Sequence, residues 1–229
     1  MEAPPSRAPR AVLFDAYGTL FDVYSVGVVA ERLFPGIGER LGVLWRDKQI
    51  EYTRLTSMSG QARSFRDCTR AGLRYAARRF ELALDAAAER ELMGAYERLS
   101  PFAENHAVLV ELRRRGVRAG VLSNGDPDML SDAVGSAGFG DLLDPLLSVQ
   151  ATRRYKTDPA AYAVGTDALG LPAQDILFVS SNCWDAIGAA WHGYTTLWVN
   201  RTGAPLEQLD TPPTRVGRSL RDVLDFFPH

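Results

Sequence analysis

The stretch AVLFDAYGTL, residues 11–20, decides the fold. It begins with an apolar run of the kind that is buried on both faces of a parallel β-sheet. The run ends at Asp15, and a turn through Gly18 and Thr19 follows at once. Ligands of open α/β sheets bind beyond the carboxyl ends of the strands, so a carboxylate at this place is well positioned to act as a nucleophile.

Helical spacing replaces the strand pattern between about residues 24 and 99. Apolar residues recur there at intervals of three and four, and the stretches 65–80 and 86–99 are also amphipathic and rich in helix formers. No strand-like run interrupts the pattern. The sequence therefore predicts an all-helical block that is inserted after the first strand. The apolar spacing is carried by Leu41, Leu44, Trp45, Tyr52 and Leu55.

Strand and helix alternate after Pro101, which is typical of a parallel sheet with helices on its faces. The sequence therefore predicts the α/β class, with a three-layer, Rossmann-like parallel-sheet core and an inserted all-helical cap domain. We expect the core to comprise residues 8–20 and 102–229, the cap residues 21–101, and a disordered lead-in residues 1–7. The predicted helices are 104–115, 127–137, 159–169 and 185–192, and the predicted strands are 118–122, 146–148, 176–179 and 196–199, the last clear strand.

The composition argues against several classes of protein. The formal net charge of the 229 residues is only -2, so the overall charge does not indicate nucleic-acid binding. No stretch reaches the roughly 18 apolar residues that a membrane span requires, and residues 1–10 lack the apolar core of a signal peptide. Two cysteines in a chain of this length fit a reducing cytoplasm. The three histidines lack metal-ligand spacing, and we expect neither a metal nor another cofactor.

Lysine is scarce in this chain. Of the 26 basic residues only Lys48 and Lys156 are lysines, and the others are arginines. A lysine retained in so arginine-rich a chain indicates a position that needs a compact ammonium rather than a planar guanidinium. The alternative is that chance alone kept these two positions. Lys156 lies just past a predicted strand, so the first explanation places it in the cleft.

Four motifs stand in order along the chain: residues 15–19 (DAYGT), 122–125 (LSNG), 155–156 (YK) and 180–185 (SSNCWD). Together they resemble the haloacid dehalogenase superfamily, and within it the L-2-haloacid dehalogenases (type II). The similarity runs from about residue 10 to residue 227. The first motif alone is shared with many hydrolases of other kinds, whereas the four together are much more specific.

The resemblance also indicates why a tyrosine stands at position 17, Tyr17. Phosphate-transferring members of the superfamily carry a second aspartate there, which protonates a departing alkoxide. A tyrosine is a far weaker acid at neutral pH, so the site suits a leaving group that needs no proton. The resemblance also implies that Ser181 replaces a metal-binding acid. Asp15 and Asp185 are then left with Lys156 between them, which is a poor site for a hard cation such as Mg²⁺.

The resemblance assigns the first part of the chemistry to residues of the core. Asp15 is expected to attack C2 of a 2-haloacid and to form an ester with inversion, which water then hydrolyses. Thr19 is expected to hydrogen-bond the Asp15 carboxylate or to stabilise the turn. Lys156, supported by Tyr162, is expected to hold that carboxylate and to stabilise charge during hydrolysis. Asp15 also has a structural explanation as a helix cap, and Tyr162 as a packed core residue.

The hydrolytic step and the substrate carboxylate are assigned in the same way. The resemblance implies that Asp185 orients or activates the attacking water, and that Ser180 and Asn182 position the water or the ester. Ser123, assisted by Asn124, closes a strand before a helix, where a hydroxyl and backbone amides suit a carboxylate. Simple helix capping is the alternative for Ser123.

The remaining substrate-binding residues surround C2 and its substituents. Arg46 is expected to bind the substrate carboxylate or to favour the departing halide, although it also fits an ordinary arginine on a helix surface. Ala16, next to the nucleophile, belongs to the same expected set. An apolar wall, whose members are equally typical of a core, is expected from Tyr17, Ile50, Phe65 and Trp184.

The leading hypothesis is therefore hydrolytic dehalogenation of short 2-haloalkanoic acids to 2-hydroxy acids. The partners that it implies are a 2-haloacid, water, the halide product and a second copy of the chain, with no nucleic acid and no membrane. A Mg²⁺-dependent phosphatase of the same superfamily and a non-catalytic small-molecule binder on the same scaffold remain as alternatives. The sequence does not determine which halogen or chain length is preferred.

Overall fold

The computed structural model describes residues 8–228, and the predicted lead-in at residues 1–7 lies outside them. The described chain alternates strands and helices after an initial strand and a helical block. The strands are β1 (Ala11–Phe14), β2 (Arg118–Ser123), β3 (Leu146–Ser148), β4 (Ile176–Ser180), β5 (Thr195–Val199) and β6 (Arg215–Gly217). The helices are α1 (Gly27–Leu33), α2 (Gly38–Ser59), α3 (Phe65–Arg79), α4 (Ala86–Glu97), α5 (Asn105–Arg114), α6 (Pro127–Ser136), α7 (Pro159–Leu169) and α8 (Cys183–Trp191).

The strands form one parallel sheet in the order β3-β2-β1-β4-β5-β6. Its centre is β1, where Phe14 pairs with Val121 of β2 and with Val179 of β4. All four residues of β1 are fully buried, as expected for a strand that is covered on both faces. The carboxyl ends of β1, β2 and β4 therefore meet at one edge of the sheet, and Asp15 follows directly on β1.

Helices α5 to α8 flank this sheet: α5 and α7 contact β2, α6 contacts β3, and α8 contacts β4 and β5. The local sequence explains where such a helix begins and ends. In α7 the Asp158 side chain accepts from the Ala160 amide and Pro159 takes the first position, whereas Gly170 ends the helix with a φ of 62°. The parallel sheet, its flanking helices and the helical insertion confirm the predicted fold class.

Helices α1 to α4 form the insertion between β1 and α5. Its centre is the packing of α2 on α3, where the Trp45 indole donates to the Thr69 carbonyl at 2.7 Å. The chain leaves and re-enters the core at neighbouring points, because the Asp22 amide donates to the Ser100 carbonyl at 2.8 Å. These contacts support the cap boundaries at residues 21–101, which stay a prediction.

Two details differ from the sequence-based expectation. The strand 196–199 is not the last, because β6 follows it; β6 has three residues, two of them exposed, and so short an edge strand carries no apolar run to reveal it. Helix α8 begins at Cys183, before the predicted start at Asp185, with Asn182 as its N-cap residue. Asp185 thus lies in the first turn of α8. None of the helices formed by residues 8–228 is both long and apolar enough to span a membrane.

Candidate active site

The Asp15 carboxylate is buried, and side chains from several segments fix its orientation. Its Oδ2 atom accepts hydrogen bonds from the Thr19 hydroxyl at 3.0 Å, from the Asn182 side-chain amide at 2.9 Å and from the Ser180 hydroxyl at 3.4 Å. Its Oδ1 atom lies 3.1 Å from the Lys156 ammonium. Hydrogen bonds and a cation of this kind stabilise the ionised form of a carboxylate, which is the form that attacks an electrophile.

Lys156 joins the two carboxylates of the site. Its ammonium lies 3.1 Å from Asp15 Oδ1 and 3.0 Å from Asp185 Oδ2, and its side chain is only 1% exposed. The Tyr162 hydroxyl donates to Asp185 Oδ1 at 2.8 Å, and the expected support of Lys156 by Tyr162 stays a prediction. Asp185 thus links Tyr162 to the lysine. The site contains a compact positive charge between two negative ones.

Asp185 is fully buried, and burial raises the pKa of its carboxyl from 3.8 to about 6, with the nearby Asp15 charge adding to the rise. The Lys156 ammonium and the Tyr162 hydroxyl oppose that rise, because both stabilise the carboxylate. A carboxylate with such a pKa is a stronger base than an exposed aspartate and is still ionised at neutral pH. It is therefore suited to accept a proton from water.

Tyr17 occupies the place where the phosphatase branch of the superfamily carries an acid. Burial raises the pKa of its phenol well above 10, so the group remains neutral at physiological pH. Its ring packs on Phe65, with the ring centres 4.9 Å apart, and on Tyr96 at 5.7 Å. Gly125 makes room for that ring, since a Cβ atom there would lie 2.7 Å from Tyr17 Cε2. Tyr17 is part of the wall of the site and is not a proton donor at neutral pH.

Arg46 reaches from α2 to the edge of the core. It is 7% exposed, and it donates to the Tyr17 carbonyl at 3.0 Å and to the Gln49 side chain at 2.7 Å. The Tyr96 hydroxyl donates to the same Gln49 oxygen at 2.8 Å. Gln49 and Tyr96 were missed by the sequence analysis. The three-residue spacing from Arg46 on one helix was the signal that could have identified Gln49, whereas Tyr96 comes from a distant helix and no sequence signal links it to the site.

Ser123 and Asn124 lie where β2 ends. The Ser123 hydroxyl accepts from the Gly125 amide at 3.1 Å, and the Asn124 side-chain oxygen accepts from the Lys156 amide at 3.0 Å. These bonds fix the loop after β2 and tie it to the segment that carries Lys156. The remaining hydrogen-bonding capacity of the two side chains is available to a ligand.

A small cavity opens on these groups. It holds all the predicted substrate-binding residues except Ala16, which is buried beside Asp15 while its carbonyl accepts from the backbone of the following turn. Five of the predicted catalytic residues lie outside the lining: Thr19, Lys156, Tyr162, Ser180 and Asp185. The cavity is lined by Asp15, Tyr17, Arg46, Gln49, Ile50, Thr53, Phe65, Ser123, Asn124, Asn182 and Trp184.

The donor set fits a divalent cation poorly. Within residues 8–228 no group of three or more His, Cys, Asp or Glu side chains is placed to hold a metal ion. The ammonium of Lys156 already lies between Asp15 and Asp185. At Ser181 the neighbouring group is also cationic, since Arg201 donates to its hydroxyl at 2.5 Å and to the Thr19 carbonyl at 3.2 Å. Hard cations need several free anionic oxygens, and these are neutralised here.

Comparison with known proteins agrees with this geometry. An (S)-2-haloacid dehalogenase from Pseudomonas sp. (strain YL) is 44% identical over 218 residues, which are 95% of this chain and 94% of the relative. The crystal structure of an L-2-haloacid dehalogenase with 56% identity superposes with a TM-score of 0.93 and covers 96% of this chain and 99% of that chain. The enzyme from Xanthobacter autotrophicus with chloropropionic acid covalently bound is 36% identical, with a TM-score of 0.88 over 94% of this chain and 96% of that chain.

The resemblance seen in the four motifs is thus confirmed over almost the whole chain. The family model for haloacid dehalogenase-like hydrolases matches residues 9–193, which include the helical insertion and all four motifs. With its parallel sheet, its buried aspartate after β1 and this match, the chain belongs to the haloacid dehalogenase-like hydrolase family.

Proposed function

We propose that this protein is an (S)-2-haloacid dehalogenase, which hydrolyses the carbon–halogen bond of short 2-haloalkanoic acids to give 2-hydroxy acids. The observation that carries the proposal is the buried series Asp15, Lys156 and Asp185 behind a small cavity that Arg46 and Tyr17 line. The relatives that are named (S)-2-haloacid dehalogenase match nearly the whole chain, which supports the same reaction here.

The first step is displacement of halide from C2. An Asp15 carboxylate oxygen forms a bond to C2 from the side opposite the halogen, and the carbon–halogen electron pair leaves with the halide. The configuration at C2 is inverted, and an ester links Asp15 to the substrate. A halide needs no proton, which agrees with the neutral, buried phenol at Tyr17. The Arg46 guanidinium is the group placed to stabilise the charge of the halide or of the substrate carboxylate.

The second step is hydrolysis of the Asp15 ester. Asp185 accepts a proton from water as the water oxygen attacks the ester carbonyl carbon. The bond between that carbon and the substrate oxygen then breaks, the 2-hydroxy acid takes the proton from Asp185, and Asp15 loses its own proton to solvent. Lys156, 3.1 Å from Asp15 Oδ1, stabilises the oxyanion that forms at the carbonyl. Ser180 and Asn182 hold the ester in place.

Two groups of cavity-lining residues are proposed to bind the substrate. Ser123 and Asn124 bind the carboxylate of the 2-haloacid, together with backbone amides after β2. Tyr17, Ile50 and Phe65 enclose C2 and its substituent, and Trp184 completes that wall.

We also propose that the enzyme works without a metal, as a homodimer in the cytoplasm. The ammonium between the two carboxylates supports metal independence. Exposed apolar side chains on α2, among them Leu55 and Met58, support self-association. Both cysteines, Cys68 and Cys183, are free thiols, which fits a reducing compartment.

The experiment follows chloride release and the fate of the oxygen atoms. The wild-type protein is incubated with (S)-2-chloropropionate in H₂¹⁸O, and chloride and the mass of the peptide that contains Asp15 are measured. Repeated attack of water on the ester places ¹⁸O in the Asp15 carboxylate, so its peptide gains mass. Asp15→Asn is expected to release no chloride while it remains folded. The matched control is Asp141→Asn, an exposed aspartate outside the site, which should retain activity.

Other outcomes would support the alternatives. Chloride release that EDTA abolishes would contradict the metal-free reaction. Turnover of p-nitrophenyl phosphate with Mg²⁺, in place of chloride release, would identify a phosphatase. Binding of (S)-2-chloropropionate with no chloride release at any enzyme concentration would identify a non-catalytic binder.

A further inference from the structure

Asp126 does not cap its own helix. It is the N-cap residue of α6, but its carboxylate makes no hydrogen bond to the first turn of that helix. Its oxygens accept instead from the first two backbone amides of α3: Oδ1 from Phe65 and Oδ2 from Arg66, each at 2.9 Å. The Gln150 side chain donates to Oδ1 at 3.2 Å. With 4% exposure, this buried carboxylate joins the core to the helical insertion.

The hydrogen bonds at the start of α3 are divided between two residues. The first four amides of a helix have no partner within the helix. Ser64 accepts from the third, that of Asp67, and Asp126 accepts from the first and second. A carboxylate at a helix N-terminus also interacts favourably with the helix dipole. Asp126 therefore fixes both the position and the direction of the first turn of α3.

The two segments that Asp126 joins both contribute to the cavity lining. Phe65, the first residue of α3, lines the cavity and packs on Tyr17 with the ring centres 4.9 Å apart. Ser123 and Asn124 also line it and precede Asp126 by three and two residues. Asp126 thus links the backbone at Phe65 directly to the loop that carries Ser123 and Asn124.

We propose that Asp126 is a positioning residue that sets the width of the substrate cavity, and thereby the size of the C2 substituent that the enzyme accepts. This inference rests on the proposed dehalogenase function. Asp126 does not line the cavity itself, and it acts through Phe65 and through the loop after β2. Loss of its charge loosens the first turn of α3 and lets the Phe65 ring move away from the substrate.

The test compares Asp126→Asn with Asp128→Asn. Asp128 lies two residues further on, pairs with the Arg66 guanidinium at 2.7 Å and has a side chain that is 66% exposed, but it does not bind the α3 backbone amides. For each protein, kcat and KM are measured with (S)-2-chloropropionate and (S)-2-chlorobutyrate, which differ by one methylene. One methylene in an apolar pocket changes kcat/KM by about 10-fold or more. We therefore expect Asp126→Asn to reduce the wild-type preference between the two acids, given by the ratio of their kcat/KM values, by about fivefold and mainly through KM. Asp128→Asn should leave it unchanged.

A second readout does not depend on activity. Hydrogen exchange of the Phe65 and Arg66 amides is followed in the same proteins, and we expect Asp126→Asn to accelerate it by about tenfold or more, because these amides lose a charged acceptor. Gln150→Met, which removes one donor to Asp126 and leaves the carboxylate, should shift the substrate ratio in the same direction by less. It replaces Asp126→Asn if that variant does not fold.

The outcomes separate this inference from the proposed function. Faster exchange at Phe65 and Arg66 with an unchanged substrate ratio would reduce Asp126 to a structural contact and overturn the inference. An unchanged exchange rate would overturn it as well. If the wild type releases no chloride from either acid, the proposed function fails, and the exchange data alone then decide whether Asp126 holds α3.

Discussion

Asp185 sets the pH range in which the proposed reaction runs. Burial raises the pKa of this carboxyl to about 6, and the proposed role in hydrolysis needs the carboxylate form. Above that pKa the group is ionised and accepts a proton from water, and below it the proton is already bound. We therefore expect the steady-state rate to fall by about tenfold for each pH unit below about 6.

The two chemical steps should differ in this respect. Displacement of halide by Asp15 needs no proton acceptor, so at pH 5 a rapid release of one chloride per chain should precede slow turnover. Mass spectrometry at that pH should detect the Asp15 ester. Asp185→Asn, which has no basic form, should give the same single release at every pH. A steady-state rate that is constant between pH 5 and pH 8 would exclude Asp185 as the proton acceptor.

At the residue scale, a residue was predictable when its signal lay in the local sequence. Asp15 follows an apolar strand, and Lys156 is one of two lysines among 26 basic residues. Tyr96 and Asp126 gave no such signal, because their partners come from distant segments of the chain. Asp126 precedes a proline at the start of α6, and this position predicts a cap for that helix, yet its carboxylate accepts a hydrogen bond from the Phe65 amide of α3.

At the element scale, α8 packs tightly on the segments that carry the site. A Cβ atom at Gly188 would lie 2.5 Å from the Tyr162 hydroxyl and 2.7 Å from Thr157 Cγ2. Alanine favours a helix over glycine by about 1 kcal/mol, but contacts this short force Tyr162 away from Asp185. We expect Gly188→Ala to slow turnover more than tenfold, because losing a buried hydrogen bond costs about 1.4 kcal/mol or more. Single-turnover experiments should then show that the Asp15 ester is hydrolysed slowly.

Gly135 provides the control for this substitution. It also lies in a helix, α6, but a Cβ atom there would have no neighbour within 4 Å. Gly135→Ala should therefore raise the free energy of unfolding by up to about 1 kcal/mol and leave the rate unchanged, as measured by urea denaturation and chloride release. Equal rates in the Gly188→Ala protein and the wild type would show that the Tyr162–Asp185 contact tolerates the added methyl group.

The elements themselves were predictable where capping residues mark them. Helix α7 runs from Pro159 to Leu169 as the sequence predicted, because proline and glycine mark its two ends. β6 was missed, because a three-residue edge strand depends on pairing with β5 and not on its own composition. The close approach of α8 to Tyr162 was not predictable either, since a glycine within a helix does not indicate which residue packs against it.

At the scale of the whole molecule, α2 presents apolar side chains to solvent. Leu55 is 52% exposed and Met58, one turn further, is 82% exposed. We expect the proposed homodimer to use this surface. The mass of the wild type from sedimentation should then be twice the 25.2 kDa of one chain. The double variant Leu55→Arg, Met58→Arg should sediment as a monomer, because buried like charges oppose association.

Val216 on β6, an edge strand of the sheet, offers a control. It is 52% exposed on β6, and Val216→Arg should leave the sedimentation coefficient of the dimer unchanged. Analytical ultracentrifugation over a range of protein concentrations distinguishes these cases. A wild type that remains monomeric at every concentration, or a dimer that persists in the double variant, would refute an interface on α2.

The burial of Lys156 also has a practical consequence for attaching this protein to a support. Its side chain is 1% exposed and its ammonium is held between two carboxylates, whereas the side chain of Lys48, the other lysine, is 19% exposed and pairs with Glu51. Because acylation needs an accessible amine, amine-reactive resins or dyes should react with Lys48 and with the α-amino group of the chain and spare the lysine of the cleft. Coupling chemistry that inactivates many enzymes through a catalytic lysine should therefore leave this protein active on the support.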